Sequence, residues 1–176
     1  MRIPATKKVH LDLVIGIDPD VDKNGVALLN CNNKLIAVSS LTFPALLDFI
    51  LYQKRQAETL GQTLIVAIEA GWLNKGNWHL QRYDTKAVAV AKGVSQGRNE
   101  QISRIIGQMC ERYDVRYEFI KPLKKCWHGE NGKITHEELA YFAGIGNRTN
   151  QEERDAALIA WVYAGFAVRA KPITSR

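Results

Sequence analysis

Residues 11–18 (LDLVIGID) form a β-branched apolar run that ends in an acid, and residues 25–31 (GVALLNC) and 34–43 (KLIAVSSLTF) follow across turn-like DPDVDKN and NN segments. This pattern predicts three adjacent strands connected as an antiparallel meander. Pro44 suits the first turn of a helix, and Leu46, Leu47, Phe49, Ile50 and Leu51 recur at helical spacing through to about Leu60, where Gly61 marks a stop. This crossover helix returns the chain to residues 63–68 (TLIVAI), a continuous apolar run that suits a central strand buried on both faces.

Glu69 closes that strand, and residues 70–84 (AGWLNKGNWHLQRYD) read as a polar, aromatic loop without clean periodicity. A long helix, or two with a break near Gly93 to Gly97, covers about residues 85–113, and residues 115–120 (VRYEFI) form a fifth strand before the basic loop KPLKKCWHGENGK. Two helices finish the chain. Thr135 with Glu138, and Asn150 with Glu153, each have the spacing of a capping box at their starts. The element order βββαβαβαα predicts an α/β domain spanning residues 1–176, with a five-stranded mixed sheet flanked by helices.

Composition supports one continuous core and excludes a disordered or collagen-like chain, since 46% of the 176 residues are hydrophobic and 24% charged. The N-terminus is basic but lacks a following apolar segment, so neither a signal peptide nor a membrane span is predicted. Cys31, Cys110 and Cys126 are odd in number and stand at no metal-ligand spacing, which fits a reducing compartment; a cytoplasmic or nucleoid-associated location is expected. A formal charge of +6 fits a polyanionic partner.

Three acids stand where the hydrophobic pattern predicts strand ends or a packed helix. Asp18 ends a central strand, although a turn Asp opening the DPDVDKNG connection is an equal reading. Glu69 lies at the carboxyl end of a buried parallel strand, where ligand groups collect in open α/β sheets. Asp155 precedes AALIAWVYAGFAV, a helix apolar almost all round and therefore expected to pack into the domain. Glu152 is roughly 60° from Asp155 around that helix and is favoured over Glu153, which is roughly 200° away and has a capping role available. Converging acids repel unless cations balance them, and oxygen donors are what Mg²⁺ and Mn²⁺ prefer. Two such ions can activate a water and stabilise a leaving oxygen in phosphodiester cleavage. A basic chain with such a site reads as a nuclease.

The chain resembles the RuvC-like Holliday-junction resolvases of the ribonuclease H-like fold. IGIDPDVDKNGVAL resembles the family's first strand and hairpin, and IVAIEAGW its fourth strand; GVSQGRNEQISRIIGQM is similar to its long substrate-side helix. IKPLKKCW with GKITHEEL, and EERDAALIAW, resemble its basic strand end and its C-terminal acid pair. The resemblance covers about residues 12–165 and implies that Asp18, Glu69, Glu152 and Asp155 hold two Mg²⁺ ions, with Mn²⁺ substituting. It also implies a branched DNA substrate, a four-way junction, and a homodimer, because symmetric cutting needs two sites facing a two-fold axis. Lys133, before the THEE cap, matches the lysine near the scissile phosphate, while Lys124 and Lys125 both match a second one. Lys125 and Lys133 are thus catalytic candidates. Asp20 and Asp22 depart from the family's small or polar hairpin residues, and Glu152 stands where the family has Asp or His.

Aromatics interleaved with bases after Glu69 suit stacking on unpaired nucleotides, so Trp72, Lys75 and Arg82 are candidate DNA contacts, with core packing the alternative for Trp72. Lys121, Lys124, Lys125 and Lys133 form a basic cluster suited to phosphate, and Arg98 and Arg104 on the long helix are further candidates. DVDKNG imitates a calcium loop, but position twelve is Cys31 and the flanks read as strands, so a tight hairpin is expected. The four histidines form no ligand pair on a helical face, so zinc is not expected. Two further readings share these residues: a ribonuclease H-like nuclease acting on RNA or other branched DNA, and a nucleic-acid-binding module of the same fold without catalysis.

Overall fold

The structure is a computed structural model that describes residues 10–74 and 85–168. Its elements run β1 (Leu13–Asp18), β2 (Asn24–Asn30), β3 (Leu35–Leu41), α1 (Phe43–Leu60), β4 (Leu64–Glu69), α2 (Lys86–Arg112), β5 (Tyr117–Ile120), α3 (His136–Ala143) and α4 (Gln151–Tyr163), with single 3₁₀ turns at Gly71–Leu73 and Glu130–Gly132. The sheet order is β3-β2-β1-β4-β5. β1, β2 and β3 pair antiparallel, whereas β4 joins β1 and β5 joins β4 in parallel. This is the five-stranded mixed sheet with a leading meander expected of the ribonuclease H-like fold.

The period-2 alternation of the strands divides the core in two. Val14, Ala27, Leu29, Ile65 and Ala67 face α3 and α4, while Ile15, Ile17, Val26, Val66 and Ile68 face α1 and α2. Glycine allows α4 to lie unusually close to the sheet. A Cβ at Gly16 would stand 2.4 Å from the Ala156 carbonyl oxygen, and one at Gly25 would stand 2.0 Å from that of Glu152.

Local signals explain most element ends. Gly61 closes α1 at φ 64, with its N–H on the carbonyls of Ala57 and Glu58. Both expected capping boxes form, Thr135 with Glu138 on α3 and Asn150 with Glu153 on α4. The structure selects one stated alternative and moves one boundary. Over residues 85–113 the single long helix forms: α2 runs unbroken through Gly93 and Gly97, because a span of Ala, Lys, Gln and Glu offsets the modest cost of two glycines. β5 begins at Tyr117 rather than at residue 115, because the Val115 N–H closes the end of α2 on the Cys110 carbonyl. Among the described residues no helix is long and apolar enough to cross a membrane.

Candidate active site

Asp18 and Glu69 are the last residues of adjacent parallel strands, one position beyond the Ile17–Ile68 pair. Alternation gives Asp18 the side of Val14 and Gly16, and Glu69 the side of Ile65 and Ala67; both therefore face α4. The Asn150–Glu153 capping box fixes the start of α4, and Asp155 follows in its second turn. Asp18, Glu69, Asp155, Lys125 and Lys133 together line a cavity of about 110 Å³, closed at its base by Leu158 and Ile159.

Burial and mutual repulsion mark these acids. Asp18 is pushed well above the usual carboxylate range, first by loss of water and then by the charges of Glu69, Asp155 and Glu152. Glu69 is also raised, by burial and by Asp155, with Lys125, Lys133 and a backbone bond at Leu123 opposing. Lys133 lies among them and donates from Nζ to Asp155 Oδ2 at 3.0 Å. Burial pulls its pKa down, but the hydrogen bond and the charges of Asp155, Asp18 and Glu152 more than offset this and leave it raised.

A buried acid holds the loop that carries Lys133. Glu138 accepts from the backbone N–H of Thr135 at 2.9 Å and of His128 at 3.2 Å, and its Oε1 pairs with His128 Nδ1 at 2.6 Å. Burial raises its pKa, and these bonds outweigh that and leave it lowered. Within the clamped loop the Lys133 N–H reaches the Glu130 carbonyl at 3.1 Å, and the Lys133 carbonyl accepts from Gly129 at 2.9 Å. The main chain of Lys133 is thus fixed on both sides.

Beyond the strand ends a groove of about 960 Å³ runs from Asp18 and Glu69 to α2 and the loop after β5. Lys124 and Lys125 lie on one side; Ala89, Lys92, Gln96, Asn99, Glu100 and Ser103 lie on the other, at the i, i+3, i+7 spacing of one helical face. Gln96 donates to Glu100 at 3.0 Å, and Asn99 approaches Asp20 of the first hairpin at 3.5 Å. That hairpin is a turn held by Asp20 and Asn24 side chains, as expected.

Of the residues expected from sequence, the structure brings together Asp18, Glu69, Asp155, Lys124, Lys125 and Lys133. Glu152 is exposed and lines a separate groove of about 880 Å³ on the far side of Lys133, with His136 and Arg148. Its carbonyl group and its Cβ both lie against Gly25, the β2 residue paired with Asp18, and its charge is among those that raise Asp18. Lys121, Lys124, Arg98 and Arg104 are exposed. Trp72 sets its edge on Phe119, with centroids 5.0 Å apart, and the Arg104 guanidinium lies 4.0 Å over its face, so each is the other's partner. Lys75 and Arg82 lie outside the described residues. Sequence reasoning did not single out Gly25, Gln96, Asn99 or Arg154, and it gave Glu138 a capping role without its hold on His128.

The carboxylates match a hard divalent cation in chemistry: all oxygen, from three elements that border one cavity with room for water-sized groups. Among the described residues, however, no three His, Cys, Asp or Glu side chains are gathered tightly enough to hold an ion as they stand. Asp155 is instead engaged by this chain's own donors, Lys133 on Oδ2 and Gln151 on Oδ1 at 2.8 Å.

No protein-family model and no curated protein matches the chain. Among solved structures it is similar to T. thermophilus RuvC in complex with Holliday junction substrate, at 14% identity and a TM-score of 0.41 over 93% of this chain and 100% of that one. It is also similar to Fowlpox virus resolvase with substrate Holliday junction DNA, at 11% identity and a TM-score of 0.39 over 87% of this chain and 97% of that one.

Proposed function

We propose that this chain is a Mg²⁺-dependent endonuclease that cuts branched DNA, with the four-way junction as its substrate. The observation that carries the reading is the set of three carboxylates, Asp18, Glu69 and Asp155, around one cavity with Lys125 and Lys133, at the mouth of a groove flanked by lysines. Asp18, Glu69 and Asp155 would hold Mg²⁺ or Mn²⁺, and Glu152 would reach in from the rim. Bound as a pair, the ions would supply a water nucleophile at neutral pH and stabilisation of the leaving oxygen.

The chain's own groups do the rest. Lys125 and Lys133 offset the charge that builds on the phosphate, in a partly buried site where such contacts are strong. Lys121 and Lys124 bind the neighbouring backbone, and the polar face of α2 closes the groove opposite the acids. The preference for four-way junctions rests on the sequence resemblance. Paired cuts there require a homodimer, and the exposed Val90 and Val94 on one face of α2 are an apolar surface available for it.

The test is incubation of the full chain with labelled four-way junction, fork, linear duplex and RNA–DNA hybrid, in Mg²⁺ or in EDTA. Paired symmetric nicks on the junction alone, absent in EDTA, are expected. Cleavage of the hybrid alone would favour the ribonuclease reading, and tight junction binding without cleavage in either Mg²⁺ or Mn²⁺ would favour a binding module.

A further inference from the structure

The acid cavity already contains a positive charge that belongs to the protein. Lys133 Nζ bonds Asp155 Oδ2 at 3.0 Å, and Gln151 Nε2 bonds Oδ1 at 2.8 Å, so both carboxylate oxygens have donors. Each oxygen keeps a second lone pair, but a divalent cation on Asp155 would stand beside the Lys133 charge, so its binding favours withdrawal of a donor. The two are not equally free to do so. Gln151 is itself held by Arg154 Nη2 at 2.8 Å, and Arg154 is anchored by Nε on the Ile134 carbonyl and by Nη1 on the Thr149 carbonyl.

Lys133 has the opposite character. Its main chain is fixed at Glu130 and Gly129 in a loop clamped by Glu138, while its ammonium sits on a long side chain that is 36% exposed. The backbone cannot follow the side chain, but the side chain has rotatable bonds enough to turn toward the groove.

We propose that Lys133 is a tethered counter-ion: it occupies Asp155 until a divalent cation takes that carboxylate, and the exchange releases its ammonium to the substrate phosphate. This rests on the metal-binding reading of the same cavity. It joins two facts that otherwise conflict, namely that three acids line one cavity and that no three of the described acids form a ready cluster. An internal cation lets them fold together without an ion, at the cost of competing with it.

The inference is tested without DNA and without activity, by calorimetric titration of Mn²⁺ into the full-length protein, its Lys133→Met and Lys133→Arg variants, and Lys133→Gln as a second neutral replacement. Loss of the competing charge is expected to tighten Mn²⁺ binding about tenfold in both neutral variants. Lys133→Arg keeps the charge and is expected to stay within about twofold of the parent. Melting curves confirm that each variant is folded. Equal or weaker binding by folded neutral variants, while the parent binds, would overturn the counter-ion role and leave the metal site standing. Absence of Mn²⁺ binding in every form would overturn both.

Discussion

Gly25→Ala is the sharpest structural perturbation of the site, although Gly25 carries no chemistry. The added Cβ would lie 2.0 Å from the Glu152 carbonyl oxygen and 2.4 Å from its carbon, where ordinary contact begins at 3.4 Å. Both obstructing atoms are backbone, so no side-chain rotation relieves the clash. The first turn of α4 must therefore withdraw by about 1.4 Å, the shortfall from ordinary contact at that oxygen. Asp155 lies on the next turn, and its relation to Asp18 on β1, the strand paired with Gly25, shifts with it. A misplacement near 1 Å costs about 10²-fold in rate, and overpacking of this kind costs about 1–3 kcal/mol in stability. Single-turnover junction cleavage with thermal melting reads both quantities. The control is Gly97→Ala, where a Cβ meets nothing within 4 Å and which lies outside the groove, and it should cleave normally with stability unchanged or raised. Parental cleavage by Gly25→Ala would refute the claim that this glycine sets the position of the acids.

Two further perturbations follow from charge and burial. Asp18→Asn should stabilise the metal-free protein at neutral pH by about 1 kcal/mol, or about 2–4 °C in Tm, while abolishing cleavage. The sign follows from the direction of the shift: a carboxyl raised by folding favours the protonated native state, so its contribution is present below the ordinary value of 3.8 and is lost as pH rises through the folded pKa. The Tm difference between variant and parent should therefore widen with rising pH and vanish near pH 3; a constant or reversed difference would refute it. Glu138→Ala should lower stability by about 1–3 kcal/mol, because the backbone N–H groups of Thr135 and His128 lose their acceptor. Cleavage should fall with it as the Lys133 loop loosens; an unchanged melting curve would show that the clamp is dispensable.

The features legible in the sequence were those that periodicity and chain order encode. Asp18 and Glu69 stood out because each interrupts an apolar strand at its carboxyl end, and Asp155 because it precedes a helix apolar on nearly every side. Their common face then follows from alternation alone. Glu152 shows where a helical wheel stops being sufficient. Its angle to Asp155 is favourable, yet it lies roughly 4.5 Å nearer the start of the helix, over Gly25 of β2, and it lines the neighbouring groove rather than the acid cavity. Close approaches between distant segments leave no local trace, so the role of Gly25 was invisible, as was the hold of Arg154 on Gln151 and two carbonyls. Trp72 could be read as a stacking platform or as packing; the structure pairs it with Phe119 and Arg104. Lys124 and Lys125 competed for one position in the sequence, and both line the acid cavity, whereas Lys133 reaches Asp155 by hydrogen bond.

The central claim is that the carboxylates at the ends of β1 and β4, with that on α4, form one phosphodiester-cleaving centre. Its most direct test is single-turnover cleavage of a four-way junction by Glu69→Gln beside the parent protein, each in Mg²⁺ and in EDTA, with junction binding measured in parallel. The account predicts that the variant binds the junction as the parent does and cuts it at least 10²-fold more slowly, with parental cutting abolished by EDTA. Undiminished cutting by Glu69→Gln, or by the parent in EDTA, would contradict it.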